Sequence, residues 1–243
     1  MNKPWVLALM AGVAVLLVAF LLPLMHMSGV QGVTGGSGMP GVSTPGGSAP
    51  AQGLPWQVTR LADGHAQVFG LVPGQDSLAD AQAKLGDVMQ VALVAKLGES
   101  AALEALVDPF GAGFVSGRLV LAFDVPAEAL QRWRARAGSS EAMDGGLRRF
   151  KLNPADRDEA GRMRLVGLSF LPSVRLSADD VRQRFGAPAE VLVQPGGVSA
   201  LLYPALGLSA TVADGQRGVL QYVAPAAFEA RLRAPLAALA ASR

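Results

Sequence analysis

The chain has no cysteine and only two histidines in 243 residues. That excludes a disulfide scaffold, a thiolate metal site and a zinc site built from several histidines. Charge is also scarce. Charged residues make up 16% of the chain, against roughly a quarter in ordinary domains. No Asp, Glu, Lys or Arg falls between Trp5 and Thr59. The formal net charge of +2 is unevenly spread. Residues 60–130 hold four basic and nine acidic groups, residues 131–165 nine and five, and residues 166–243 seven and five. Recognition of nucleic acid needs a clustered basic excess, so no nucleic-acid partner is expected. The acidic stretch and the basic middle can attract each other within one molecule. The middle, from Arg132 to Arg164, also offers positive charge to an anionic ligand.

What is present is apolar: 51% of the chain is hydrophobic. Trp5 to Met27 is a 23-residue run whose only titratable side chain is His26. About 20 apolar residues span a hydrocarbon core of roughly 30 Å, and in lipid such a segment must be helical to satisfy its backbone. Trp5 stands where an interfacial indole is favourable. The rival reading is a cleaved signal peptide. It expects an apolar core of roughly 7–15 residues and a small-x-small site, for which Val30-Gln31-Gly32 is a mediocre candidate. An uncleaved signal-anchor is the expectation. Lys3 precedes the run and no charge follows until Arg60. The positive-inside rule then leaves the N-terminus cytoplasmic and places the bulk of the chain in the bacterial periplasm, anchored in the inner membrane by Trp5–Met27.

Ser28 to Gly53 is rich in Gly, Ser and Pro and carries no charge. It reads as a flexible tether with an r.m.s. reach of roughly 25–30 Å. It lacks the Gly-Lys-Ser/Thr ending of a phosphate-binding loop.

Beyond the tether the sequence repeats at a spacing of about one hundred. Ser77-Leu78-Ala79-Asp80-Ala81-Gln82-Ala83-Lys84-Leu85-Gly86 aligns with Ser177-Ala178-Asp179-Asp180-Val181-Arg182-Gln183-Arg184-Phe185-Gly186. Each copy predicts a helix capped by serine, with an acid in its first turn and a glycine at its end. A hairpin is expected before each helix, over Trp56–Phe69 and over Phe150–Val166. Strands are expected after each helix: Met89–Ala95 and Arg118–Val125, then Glu190–Val193, Ser199–Tyr203 and Gly218–Val223. Pro126 and Pro225 each open a second helix. The expected fold class is α+β: a transmembrane helix, a flexible linker, then two tandem similar units, each of antiparallel strands with two helices. The expected boundaries are 1–27 for stub and anchor, 28–53 for tether, 54–137 for the first unit, 138–148 for a linker and 149–243 for the second unit.

Ser177, Asp180, Val181, Gly186 and Pro188 follow a pattern of capped helix, then Gly-x-Pro, then small sheet. In this the second unit resembles the BamE/SmpA-like module of outer-membrane assembly lipoproteins. The first unit keeps Ser77, Asp80 and Gly86 but has Val88 in place of the proline. The resemblance covers about 50 residues per copy and implies a protein-binding role in envelope assembly, with no catalytic residue.

No catalytic, cofactor-binding or metal-ligating residue is assigned, and no cofactor is expected. His65 is the only histidine past the anchor, and no Gly-x-Ser-x-Gly or His-Glu-x-x-His motif accompanies it. Gly111–Gly117 has the look of a dinucleotide loop but leads into a strand rather than a helix. Asp179-Asp180 reads as helix capping and Asp156/Asp158 as a hairpin tip. Trp133, Phe185, Phe228 and Tyr222 read as core. The expected role is a non-enzymatic protein-interaction or scaffold module of the envelope. The alternatives are a binder of lipid, glycan or peptidoglycan, and an enzyme working through Asp63, Asp144, Asp156 and Asp158.

Overall fold

The computed structural model describes residues 53–96 and 98–242. The expected anchor over Trp5–Met27 and all but the last residue of the tether lie outside them. Among the described residues no helix is long and apolar enough to cross a membrane.

The chain first makes a small ribbon, β1 (Thr59–Arg60) with β2 (Ala66–Gln67). There follow helix α1 (Leu78–Leu85), strands β3 (Gln90–Lys96), β4 (Ala102–Ala112) and β5 (Val115–Asp124), and helix α2 (Ala127–Ala135). Next come β6 (Ser140–Ala142), β7 (Leu147–Lys151), the short helix α3 (Arg157–Gly161) and β8 (Arg164–Pro172). Helix α4 (Ala178–Phe185) leads into β9 (Glu190–Val193), β10 (Ser199–Tyr203), β11 (Leu208–Val212) and β12 (Val219–Val223). The C-terminal segment runs through a 3-10 turn (Pro225–Ala227) and a π turn (Glu229–Arg233) into α5 (Ala234–Ala241).

The expectation of two tandem units is overturned. Strands β3 to β12 form one ten-stranded antiparallel sheet in the order β6-β7-β3-β4-β5-β8-β12-β11-β10-β9. Strand β8 is the reason. It pairs along one edge with β5 from the first half and along the other with β12 from the second. Leu165, Val166, Leu168 and Phe170 are all buried, so β8 needs neighbours at both edges and cover on both faces. The expected Phe150–Val166 hairpin does not form. Phe150 lies in β7 beside β3, and Val166 lies in β8. Asn153 caps a 3-10 turn over Pro154–Asp156 that runs into α3 and carries the chain between them. The stretch 138–148 contributes β6 and the start of β7 to the sheet.

The two aligned helices do match. Ser77 and Ser177 each accept from the backbone N–H of the aspartate three residues on, and that aspartate accepts from the serine backbone in return. Gly86 (φ 79°, ψ −171°) and Gly186 (φ 82°, ψ −166°) end them in nearly the same geometry. That region is open to glycine alone. The second helices diverge. Ala129 and Trp133 of α2 pack in the main core, whereas Phe228, Leu232 and Leu236 pack on Ala200, Leu202 and Val223 on the opposite side.

Side chains alternate between the two faces. Across the first face, Val91, Ala105, Leu121, Leu168, Tyr222, Leu208 and Tyr203 lie opposite one another from β3 to β10. Helices α1 to α4 pack over this face. The second face carries polar groups. Ser169, Gln221 and Ser209 are cross-strand neighbours there, each buried. Next to this row runs Ala92–Glu104–Ala122–Gly167.

Glu104 is 7% exposed, and desolvation raises its carboxyl from an ordinary 4.5 to about 7. Between those values the folded chain holds a proton that the unfolded chain releases. This contribution is complete below about pH 4.5 and is lost as pH rises through about 7. Glu104→Gln is therefore expected to flatten the pH dependence of stability over that range. Above pH 7 it should stabilise the fold by on the order of 3 kcal/mol. Urea unfolding of both forms from pH 4 to about 8 checks the sign; equal slopes would refute it.

Candidate functional site

The sequence candidates scatter. His65 sits in the β1–β2 turn with Nδ1 3.3 Å from Asp63 and 3.1 Å from the Gln75 amide. The His65 backbone N–H and Gln75 hold the Asp63 carboxyl below the usual carboxylate range. Asp156 is buried and ion-paired to Arg136. The backbone carbonyl of Asp158 accepts from Arg162, and Asp144 lies in the 3-10 turn Asp144–Gly146. Asp179 pairs with Arg182, and Asp180 completes the α4 cap. The four aspartates considered for acid–base work thus lie on three separate segments. Among the described residues no group of three or more His, Cys, Asp or Glu can hold a metal.

The aromatics expected in the core are there in most cases. Trp133 is fully buried, and its indole N–H donates to Glu159 at 3.1 Å. Phe185 is half-buried against Tyr203, with centroids 5.7 Å apart. The basic middle is largely consumed internally. Arg132 pairs with Glu159, Arg136 with Asp156 and Arg149 with Glu141, while Arg134 lies 5.1 Å over Phe150.

A different place brings side chains together at the surface. Strands β4 and β5 run past β3 and turn at Gly113-Phe114. A Cβ at Gly113 would stand 2.7 Å from Leu54, and its φ is +61°. Glycine there lets the incoming chain lie against the hairpin. Phe114 follows, 79% exposed. Its ring is 5.9 Å from Trp56, and the Arg184 guanidinium caps the other ring system at 4.1 Å from the Trp56 centroid. Beside this ledge is an open hollow of about 480 Å³ lined by Gly53, Trp56, Gln57, Val58, Thr59, Gln67, Phe69 and Gly70. The floor is rigid. Phe69, which has positive φ of 54°, packs edge-on against Phe110 at 5.1 Å. Tyr222 donates its hydroxyl to the Pro55 carbonyl at 2.8 Å, and burial raises its pKa well above the usual value.

The sequence reading placed Trp56 in a hairpin and Phe114 in a glycine loop, and did not connect them. The available signal was an aromatic between Gly113 and a strand start, where turns are ordinarily polar. Arg184 was legible only as the outer face of its helix.

No family model, curated protein or solved structure matches the chain.

The Tyr222–Pro55 bond is the tie that pins this segment to the sheet. Tyr222→Phe leaves a buried carbonyl unpaired, at a cost of about 1–3 kcal/mol. Hydrogen exchange at the Gln57 and Leu61 amides should speed by about 5- to 150-fold, while exchange in β8 changes less. Unchanged protection at Gln57 would show that the bond does not hold the site.

Proposed function

We propose that the chain is a membrane-anchored protein of the bacterial envelope whose sheet domain faces the periplasm and binds a protein partner without catalysing a reaction. The observation that carries this reading is the open hollow beside Trp56, bordered by the exposed Gln57 and Thr59. Aromatic and arginine side chains are the groups that supply most of the energy at protein interfaces, above all beside a pocket that receives an anchor side chain. Supporting it, the aspartates considered for acid–base work lie on separate segments rather than around one cleft. The apolar run Trp5–Met27 and the neutral tether supply the membrane attachment, and the resemblance of Ser177–Pro188 to the BamE/SmpA-like module points to the envelope.

Gln57, Val58 and Thr59 border the hollow just after the Leu54–Gln57 turn, and of them only Thr59 pairs with β2. The exposed Gln57 and Thr59 side chains give a partner segment something to meet at this rim. A photo-crosslinking residue at Gln57, which is exposed, is expected to capture a discrete protein in intact cells. The same residue in β6 at Ser140 should not. The full chain is expected to resist alkaline extraction from inner membranes, and deletion of residues 5–27 to release it. Capture of no protein from Gln57 and its neighbours along 56–60 would refute the partner-binding reading. Release of the full chain by alkali would refute the anchor.

A further inference from the structure

The end of the sheet that bears Phe114 also carries the other strongly exposed apolar group of its neighbourhood. Ser173 donates its backbone N–H to Ser116 at 2.8 Å, and Pro172 lies opposite Gly117. The chain leaves β8 beside the hairpin and bends at Ser173-Val174. Val174 is 53% exposed. The β11–β12 turn reaches the same end, because Phe170 of β8 pairs with Leu220 and Gly218 packs on Leu176. That turn brings Arg217 and Asp214, both exposed. Arg184 is already there on Trp56. Arg118, one strand in, is neutralised by Asp108 at 2.7 Å. Arg175, Arg184 and Arg217 are exposed, and none of the three has an ion pair within 4 Å among the described residues, although Asp214 shares the β11–β12 turn with Arg217 and the Asp180 carboxylate lies within electrostatic reach of Arg184.

The described chain also enters at this end. Gly53 lines the hollow and Leu54 touches Gly113. Residues 28–53 separate this point from the apolar run in sequence, so on the anchor reading the end where Gly53 enters is the one drawn toward a bilayer spanned by that run. We propose that this end seats on the membrane surface: Phe114 and Val174 enter the interfacial layer, and Arg175, Arg184 and Arg217 meet the phosphates of anionic lipid. The chemistry is that of interfacial aromatics flanked by arginine. The inference rests on the anchor reading above and adds the orientation of the domain to it. The Gln57–Thr59 rim of the hollow then opens sideways, next to the membrane.

The absence of cysteine makes a single-site test clean. Ser116→Cys, exposed beside the tip, and Ser140→Cys at the far sheet edge are each labelled with an environment-sensitive fluorophore in the full chain. Each is reconstituted in phosphatidylcholine vesicles with or without phosphatidylglycerol. With phosphatidylglycerol, a lipid-borne quencher is expected to reach the label at 116 and not that at 140. Adding Phe114→Ser should abolish the quenching. Adding Arg175→Gln with Arg217→Gln should lower the ratio of seated to free domain by about 25-fold, roughly 5-fold for each arginine. If the chain stays in alkali-washed vesicles and both labels remain equally open to an aqueous quencher, the seating is refuted and the anchor stands. Loss of the chain from washed vesicles refutes both. Protection of the label at 116 by envelope extract but not by lipid would assign the end to a protein and overturn the proposal.

Discussion

The fold depends on strand β8 being held at both edges. Its residues Gly167 to Phe170 pair with β12, and its run from Arg164 to Pro172 pairs with β5. Remove that strand and the sheet falls into a five-stranded and a four-stranded piece, each with one new bare edge. An exposed apolar edge is a template for pairing with another chain. In the intact sheet the edges fall instead on β6, where Ser140–Ala142 is short and fully exposed, and on β9, of only four residues. Strand β8 also fixes the site. Because β5 and β12 are both pinned to it, the β4–β5 hairpin, the loop after β8 and the β11–β12 turn emerge at one end.

Helix packing follows from the same seam. Helices α1 and α4 share a cap and a glycine stop, yet they lie on one face of a common sheet rather than each on its own. Leu78, Ala81 and Leu85 are all buried, but of the corresponding Ala178, Val181 and Phe185 only Val181 is. The stretch after Pro225 crosses to the second face because Ala200, Leu202 and Val223 present an apolar strip there. Its ion pair from Arg233 to Glu190 ties it to the edge strand β9. Two local sequences of the same kind thus take opposite sides according to what the sheet leaves uncovered.

This explains which parts of the structure were legible in the sequence. The capping boxes were, because Ser-x-x-Asp acts over three residues and needs no tertiary partner. The antiparallel strands β3, β5, β9, β10 and β12 were also visible as apolar runs. Strand β4 was not. Glu104, Asp108, Pro109 and Gly111 interrupt its pattern, and its register shifts between Val107 and Phe110 where the proline sits, a place where a sheet tolerates one. Strand β11 follows Gly207 directly and carries Ser209 and Thr211 buried among apolar neighbours, so it reads as a loop. The assignment of β8 failed for a deeper reason. A continuous apolar run says that a strand is buried on both faces, but not whose edges it joins. The duplication suggested a local hairpin, and burial on both faces required a shared centre.

The ledge was hidden for a related reason. Trp56, Phe114 and Arg184 are 58 and 70 residues apart in turn, and nothing local ties them. Their meeting depends on Gly113 admitting Leu54, on Tyr222 holding Pro55, and on α4 lying over the first face with Arg184 turned outward. The charges show the same contrast. Counted along the chain, the basic excess lies between Arg132 and Arg164, where it looks ready for an anionic ligand. In the fold four of its arginines, Arg132, Arg136, Arg149 and Arg134, are taken up by Glu159, Asp156, Glu141 and the Phe150 ring. They join α2, β7 and α3 across the sheet's first half, where an exposed pair contributes little singly but a set of them fixes how the segments sit. Arg175, Arg184 and Arg217 are dispersed along the chain and exposed, and only the sheet brings them to one end. A linear charge count finds where charge is abundant. The fold decides which of it meets on one surface.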